Sequence, residues 1–243
     1  MRVWFGQFLR FIKDFPLLYQ LYRWRTERIL RKKNLKEDVV FELIYINNEW
    51  NNKESVSGIG SMEKHTKIIV DKLPELCKKY NVKTILDAPC GDFNWMKRVK
   101  FSSELKYIGG DIVEKLIEAN NRNYESDDRK FVQLNILKDD LIKCDLIFVR
   151  DCLVHFSYKD INSFLSNLMR SEIEYLLTTS FPKTKNNYDI TTGNWRALNL
   201  QNKPLSFPRP LDFIHEKTEE NKFQYYDKSL YLYKVSELKM FKF

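Results

Sequence analysis

Between residues 82 and 180 the chain alternates short apolar runs with segments of helical periodicity. The apolar runs predict five strands, at 83–88, 106–111, 130–135, 144–150 and 174–180. Helical spacing predicts helices at 113–122 and 158–170, with a short helix after Asn94. Strands that are apolar along their whole length are typical of a parallel sheet with both faces covered by helices.

The segments before this region predict two more elements. Apolar positions at helical spacing predict a helix at 62–80, for which Ser61 is the candidate N-cap. Residues 41–50 are also predicted to be helical. Between them lies a loop rich in Ser and Gly, 54–61, which either folds over a ligand or simply connects its neighbours.

After residue 182 the periodic pattern stops. Residues 183–210 are polar and proline-containing, and they are predicted to form an irregular insertion. A long irregular segment in a compact domain is usually functional or disordered, and the Trp, Arg and Asn content here favours an ordered, functional segment. Two final strands are predicted at 211–215 and 230–234, as an antiparallel pair at one edge of the sheet.

The N-terminal 33 residues carry aromatic and aliphatic side chains at helical spacing, interrupted by Pro16. Arg10, Lys13 and Asp14 break the apolar run, so it is not expected to span a bilayer, and it lacks the features of a secretory signal. Two interpretations stay open: helices lying on an anionic membrane surface, or a helical pair packed on the domain or on a second subunit. We therefore expect a basic extension at 1–36 and one domain at 37–243.

Charge and cysteine content narrow the class of protein. The net charge is +8, and residues 1–36, with ten basic and two acidic side chains, carry all of it. The neutral charge of the remainder argues against a nucleic-acid partner. The four cysteines form no CxxC pair and the three histidines are far apart, so we predict neither disulfides nor a metal site. Reduced thiols predict a cytoplasmic location, which would be peripheral to the inner membrane if the extension binds lipid.

The chemistry is concentrated where the first two predicted strands end. Asp87 ends the first strand, Gly91 lies in the turn that follows, and Asp111 ends the second strand, twenty residues beyond Gly91. Nucleotide-binding α/β units need a small residue where the backbone meets the ligand, and a ribose-binding carboxylate about that far on.

These residues resemble a known family. Asp87-Ala88-Pro89-Cys90-Gly91-Asp92 resembles motif I of the class I S-adenosylmethionine-dependent methyltransferases, Asp111 resembles their ribose acid, and 145–151 resembles their fourth strand. The resemblance covers roughly 82–235 and implies a Rossmann-like, seven-stranded, mostly parallel sheet with helices on both faces and a C-terminal antiparallel edge hairpin. Only one glycine remains in the turn, which disfavours a dinucleotide.

The resemblance also implies a set of cofactor-binding residues. Asp87 is expected to meet the methionine ammonium of S-adenosylmethionine, and Asp111 both ribose hydroxyls. The implied cofactor residues are Asp87, Ala88, Cys90, Gly91, Asp111, Ile112, Asn135, Ile136 and Arg150. The product would be S-adenosylhomocysteine.

A narrower resemblance concerns the acceptor. Asn48-Glu49-Trp50, residues 55–61 and Gly193-Asn194-Trp195-Arg196 are similar to a bacterial subfamily found among capsular-polysaccharide biosynthesis enzymes. It implies O-methylation of a small acceptor, a sugar or a phosphoramidate, for example in a nucleotide-activated intermediate. The residues implied for substrate binding are Trp50, Ser57, Trp195 and Arg196.

His155 and Asp151 are the candidate catalytic residues. The unperturbed pKa of a histidine suits a general base, and Asp151 would orient His155 or bind the substrate. Arg150, Arg196 and Lys183 would clamp a phosphate-like anion. A capping or packing role is the alternative for each residue. Two other functions stay open: an RNA methyltransferase gripping with its basic N-terminus, and a non-catalytic scaffold held at a membrane.

Overall fold

The computed structural model describes residues 35–50, 52–220 and 224–243. The predicted helical extension at 1–33 lies outside these residues, so its two interpretations remain predictions. Within the described residues, no helix is long and apolar enough to cross a membrane.

One sheet of seven strands organises the described residues, in the order β3-β2-β1-β4-β5-β7-β6. The strands are β1 Thr84–Asp87, β2 Lys106–Asp111, β3 Arg129–Gln133, β4 Leu146–Val149, β5 Tyr175–Ser180, β6 Asp212–His215 and β7 Ser229–Lys234. Strands β1 to β5 pair in parallel, and β7 runs antiparallel between β5 and β6. The predicted mostly parallel, Rossmann-like sheet with an antiparallel edge pair is confirmed.

Four α-helices accompany the sheet in the described part of the chain: α1 Glu37–Ile46, α2 Glu63–Lys79, α3 Glu114–Tyr124 and α4 Tyr158–Arg170. Helix α4 packs on the face that carries Leu86 and Ile147. Helices α2 and α3 pack on the opposite face, with Ile85 and Leu146. Because neighbouring residues of a strand point to opposite faces, wholly apolar strands need both layers of helices.

Two local predictions are wrong. The helix expected after Asn94 is only a single 3-10 turn, Met96–Arg98. Phe93 has a left-handed φ of 56° and its ring packs 5.2 Å from that of Tyr107, which holds this segment in an irregular path. Ser61 does not cap α2, because it lies in a 3-10 turn, and the Glu63 N–H donates to Glu54 Oε1 at 2.6 Å instead.

The insertion at 183–210 is irregular, as predicted, and closely packed. It contains no helix or strand, yet Leu198, Leu200 and Phe207 are buried in the core. The amide of Asn187 donates to the carbonyls of Asn199 and Asn202 at 2.8 and 3.3 Å. Apolar anchors and side-chain amides together satisfy a backbone that has no ladder of its own.

Candidate active site

The carboxyl ends of β1, β2 and β4 meet at one edge of the sheet. The pairing continues beyond β1, because Ala88 N–H donates to Phe148 O at 2.9 Å and Cys90 N–H donates to Gly110 O at 2.8 Å. These bonds fix the turn that follows β1 against both neighbouring strands. Asp87, Gly91 and Asp111 are thereby brought together, which is where ligands bind in open α/β sheets.

Asp111 is a buried carboxylate held by two backbone amides. Its Oδ2 accepts from Gly91 N–H and its Oδ1 from Val113 N–H, each at 3.0 Å, and the residue is only 5% exposed. Burial raises its pKa to about 6, although the two amides act in the opposite direction. A carboxylate has about four acceptor positions, so both oxygens keep a lone pair for a vicinal diol.

Asp87 lies beside it and is buried as well. The Tyr107 hydroxyl donates to its Oδ2 at 2.6 Å. Burial, with a smaller contribution from the charge of Asp111, raises the pKa of Asp87 to about 7, against the Tyr107 hydrogen bond, which lowers it. No cation forms an ion pair with Asp87 among the described residues. An ammonium group placed here would relieve that cost of burial.

The turn at Gly91 has room only for a glycine. Its φ is +56°, and a Cβ would lie 2.1 Å from Ser57 Oγ. Ser57 belongs to the 54–61 loop, which docks on Asp92: Ser55 Oγ donates to Asp92 Oδ1 at 3.0 Å and Val56 N–H to Oδ2 at 2.9 Å. Ser57, predicted to bind substrate, therefore lies against the turn expected to hold the cofactor.

Most of the other predicted cofactor residues lie around the turn after β1 and the strands beside it. Ala88, Cys90 and Ile136 are buried around the turn and the end of β3, and Ile112 follows Asp111. The Nδ2 of Asn135 donates to Glu37 Oε1 at 2.9 Å, and its Oδ1 accepts from Leu137 N–H at 3.0 Å. Both ends of this amide are engaged within the protein, one of them with α1, and its contact with the cofactor stays a prediction.

Arg150 is engaged within the protein as well. Its guanidinium is buried and forms two hydrogen bonds with Glu216, at 2.8 and 3.2 Å, while Nη2 also donates to Gly60 O at 2.9 Å. These bonds engage the Arg150 guanidinium within the protein, and its contacts with cofactor or phosphate stay predictions. Arg196 is fully buried and Lys183 is exposed, so of these two only Lys183 presents its side chain to solvent.

His155 is held by the insertion. Its Nδ1 lies 2.8 Å from Asn194 O, and since a carbonyl can only accept, Nδ1 carries the proton and Nε2 is the acceptor. Burial lowers its pKa to about 4, against the Asn194 hydrogen bond, which raises it. The ring of Trp50 lies 5.4 Å from that of His155. The imidazole is therefore neutral at neutral pH.

Asp151 is engaged elsewhere. Burial alone would raise its pKa, but Lys228 and Arg150 lower it to about 2, and its Oδ2 lies 2.6 Å from Lys228 Nζ. The Asn194 carbonyl, rather than Asp151, orients Nδ1 of His155. Trp195 is partly buried, and its ring packs 4.9 Å from that of Tyr225.

Several contributors were missed from the sequence. Tyr107, Asn194 and Lys228 contact candidate site residues 20, 39 and 77 positions away. Asn194 lies in the 193–196 motif, but nothing in that motif indicated a role for its backbone carbonyl, and Lys228 belongs to no motif. Tyr107 alone had a detectable signal, as a hydroxyl on β2, the strand that pairs with β1.

Comparison with known proteins finds solved structures with a similar fold. No protein-family model matches the chain, and no curated protein is similar to it in sequence. Human N-acetylserotonin methyltransferase bound to S-adenosylmethionine is similar in structure, with a TM-score of 0.55 and 13% identity, over 83% of this chain and 61% of that one. The present chain thus spans less than two thirds of the human enzyme.

Two bacterial structures are similar over most of their own length. A S-adenosylmethionine-dependent methyltransferase from Clostridium acetobutylicum matches with a TM-score of 0.50 and 15% identity, over 72% of this chain and 93% of that one. The methyltransferase domain of bacterial CtHen1 matches with a TM-score of 0.52 and 12% identity, over 70% and 98%. The chain has the Rossmann-like fold of these methyltransferases. Because the sequence identities are this low, the structural similarity establishes the fold alone.

Proposed function

We propose that this protein is a methyltransferase that uses S-adenosylmethionine. The observation that carries the proposal is the buried carboxylate of Asp111, which is held by Gly91 and Val113 amides and keeps lone pairs at the edge where β1 and β2 end. The buried, raised-pKa carboxylate of Asp87 and the glycine-only turn at Gly91 support it. The fold shared with enzymes of this class agrees with the assignment.

Asp111, Asp87 and Gly91 would each contact a different part of S-adenosylmethionine. Asp111 would accept from the ribose hydroxyls, Asp87 would face the ammonium group, and the Gly91 turn would let the backbone approach closely. The bound cofactor supplies a methyl group on a sulfonium, which is already electrophilic. The protein's main task is then to align the acceptor with that methyl, an effect on the order of several kcal/mol.

We further propose that the acceptor is an oxygen, on a sugar or phosphoramidate as the capsule-enzyme resemblance implies. His155 supports this, because its neutral ring presents Nε2 as a proton acceptor while Asn194 holds Nδ1. Trp50, whose ring lies 5.4 Å from that of His155 at a tilt of 39°, would contact the acceptor. Nε2 would take the proton of the acceptor hydroxyl, and the bound cofactor would supply the methyl group and leave as S-adenosylhomocysteine.

Calorimetry with S-adenosylmethionine tests the cofactor assignment. We expect Asp111→Asn to weaken binding by about a hundredfold, because a carboxylate that accepts from both hydroxyls is worth about 2–3 kcal/mol. Asp212→Asn is the matched control. It removes an acid of β6 that is paired with Lys79 of α2, and it is expected to leave the affinity for S-adenosylmethionine unchanged. Absence of heat with the unmodified protein would end the proposal.

A methyl-transfer screen tests the acceptor, using sugar, nucleotide-sugar and phosphoramidate candidates read by mass shift. Once an acceptor is found, His155→Gln is expected to reduce kcat by about a hundredfold at unchanged cofactor affinity. His215→Gln on β6 serves as the control, and is expected to retain kcat. A His155→Gln enzyme of full activity would exclude the general-base role.

A further inference from the structure

A cleft outside the candidate active site lies between the insertion and the start of α4. Its volume is about 730 Å³, within the range of small-molecule sites. Most of its lining comes from two parts of the insertion, 185–189 and 202–204, with Tyr158 of α4 at its wall. The insertion that holds His155 therefore also forms a second concave surface.

A buried cation stands behind this cleft without an ion-pair partner. Arg196 is fully buried, and its guanidinium carbon lies 5.4 Å from the ring centre of Tyr158. Its Nη1 donates to Val154 O, but Nε and Nη2 have no hydrogen-bond partner in the described part of the chain. A buried charge left unpaired is strongly unfavourable, and guanidinium does not lose its proton to escape that cost.

Tyr158 adds a second unsatisfied group. The residue is 6% exposed, and its hydroxyl is buried with no hydrogen-bond partner among the described residues. Tyr158 lines the cleft directly. Buried polar atoms are nearly always hydrogen-bonded in native proteins, so an unpaired donor in the wall of a cleft indicates a missing partner.

The rim of the cleft carries positive charge and an exposed aromatic ring. Lys185 and Lys203 are exposed there and form no ion pair within the described residues. Asp189 is the opposing charge, and its Oδ1 already accepts from the N–H groups of Tyr158 and Ile190. Tyr188 is 54% exposed at the same rim, where a flat ring can stack on it.

We propose that this cleft binds a phosphate-bearing ligand with a ring, of the nucleoside diphosphate type. The phosphates would lie between Lys185 and Lys203, and the ring would stack on Tyr188. The ligand's negative charge would offset Arg196 through the wall formed by Tyr158. The proposal does not depend on methyl transfer, since its residues are not those assigned to the cofactor.

The test uses uridine diphosphate as the probe, with pyrophosphate as its ring-free counterpart, in calorimetry on the full chain. Replacing both rim lysines, Lys185→Gln with Lys203→Gln, is expected to weaken uridine diphosphate binding by about tenfold or more. The matched control, Lys67→Gln with Lys115→Gln, removes the same charge from exposed positions on α2 and α3 and is expected to change the affinity little. Tyr188→Leu is expected to weaken uridine diphosphate more than pyrophosphate.

Three outcomes would overturn the proposal: no binding by the unmodified protein, equal loss in both lysine pairs, or displacement of the probe by S-adenosylhomocysteine. The last would place the probe in the cofactor site. Binding of uridine diphosphate by the Asp111→Asn protein would support the separate site. If S-adenosylmethionine fails to bind while the probe still does, the proposed function fails and this inference stands.

Discussion

At the scale of single residues, the candidate site keeps two carboxylates that its own surroundings disfavour. Asp87 and Asp111 are both buried, and burial raises the pKa of each, to about 7 and about 6. Burying an ionised carboxylate costs free energy, and binding of a cationic ligand would remove that cost. Perturbed carboxylates of this kind mark functional sites. The charge that is costly in the free protein would then favour a cationic ligand.

The penalty at Asp87 predicts a particular pH dependence. The folded chain binds this proton more tightly than the unfolded chain, so ionised Asp87 lowers stability as pH rises from 3.8 to about 7. Asp87→Asn removes the effect, and its advantage over the unmodified protein should grow across that window by up to roughly 4 kcal/mol, then stay constant. Urea unfolding at a series of pH values measures it.

Asp212→Asn provides a control of opposite sign. Burial opposes the shift, but Lys79 lowers the pKa of Asp212, so its stabilisation is lost as pH falls. The unfolding free energy of Asp212→Asn, relative to that of the unmodified protein, should therefore fall as pH rises through the acid range. Parallel pH curves for Asp87→Asn and the unmodified protein would show that Asp87 is not held in this way.

At the scale of elements, the 54–61 loop is docked on the turn after β1. The sequence left open whether this loop covers a ligand or merely connects helices. Ser55, Val56 and Ser57 all bond to Asp92, and Ser57 Oγ occupies the space beside Gly91. The loop therefore lies over the candidate cofactor turn, which favours the covering interpretation as a proposal.

This docking predicts a coupling between two positions. Gly91→Ala should destabilise the fold, since its φ of +56° is unfavourable with a side chain and the new Cβ would lie 2.1 Å from Ser57 Oγ. Adding Ser57→Gly should restore about 1 kcal/mol or more of the loss, measured as a coupling energy by urea unfolding. Gly110→Ala, whose Cβ would meet Leu134, should show no coupling to Ser57→Gly.

At the scale of the whole molecule, one buried cluster of charges joins distant segments. Arg150 and Lys228 are its bases, and Asp151, Glu216 and Glu220 are its acids. Through Gly60 O it also holds the end of the 54–61 loop. The cluster thus ties that loop and the end of β4 to the segment that joins β6 and β7.

Removing one base should expose the cost of burying the acids. Lys228→Met leaves three carboxylates against Arg150 alone, and we expect a loss of about 3–5 kcal/mol in unfolding free energy. Lys234→Met removes an exposed lysine 4.0 Å from Glu174 and should cost no more than about 0.5 kcal/mol. Similar urea midpoints for the two variants would rule out a stabilising role for the cluster.

The sequence by itself determined the sheet, the two covering layers of helices and the acids at the strand ends. Those features come from local periodicity and from turn residues next to each strand, so nearest neighbours are enough to reveal them. Asp87, Gly91 and Asp111 needed only the knowledge that parallel strands end at the same edge of the sheet. The irregular insertion was visible as a loss of periodicity.

Only the tertiary structure decided which groups face one another. It paired Arg150 with Glu216, 66 positions away, a partner that the sequence did not indicate. It placed the Asn194 carbonyl against His155, and left Arg196 buried without an ion-pair partner among the described residues. Such contacts join irregular segments far apart in the chain, and because packing rather than periodicity brings them together, no local pattern announces them.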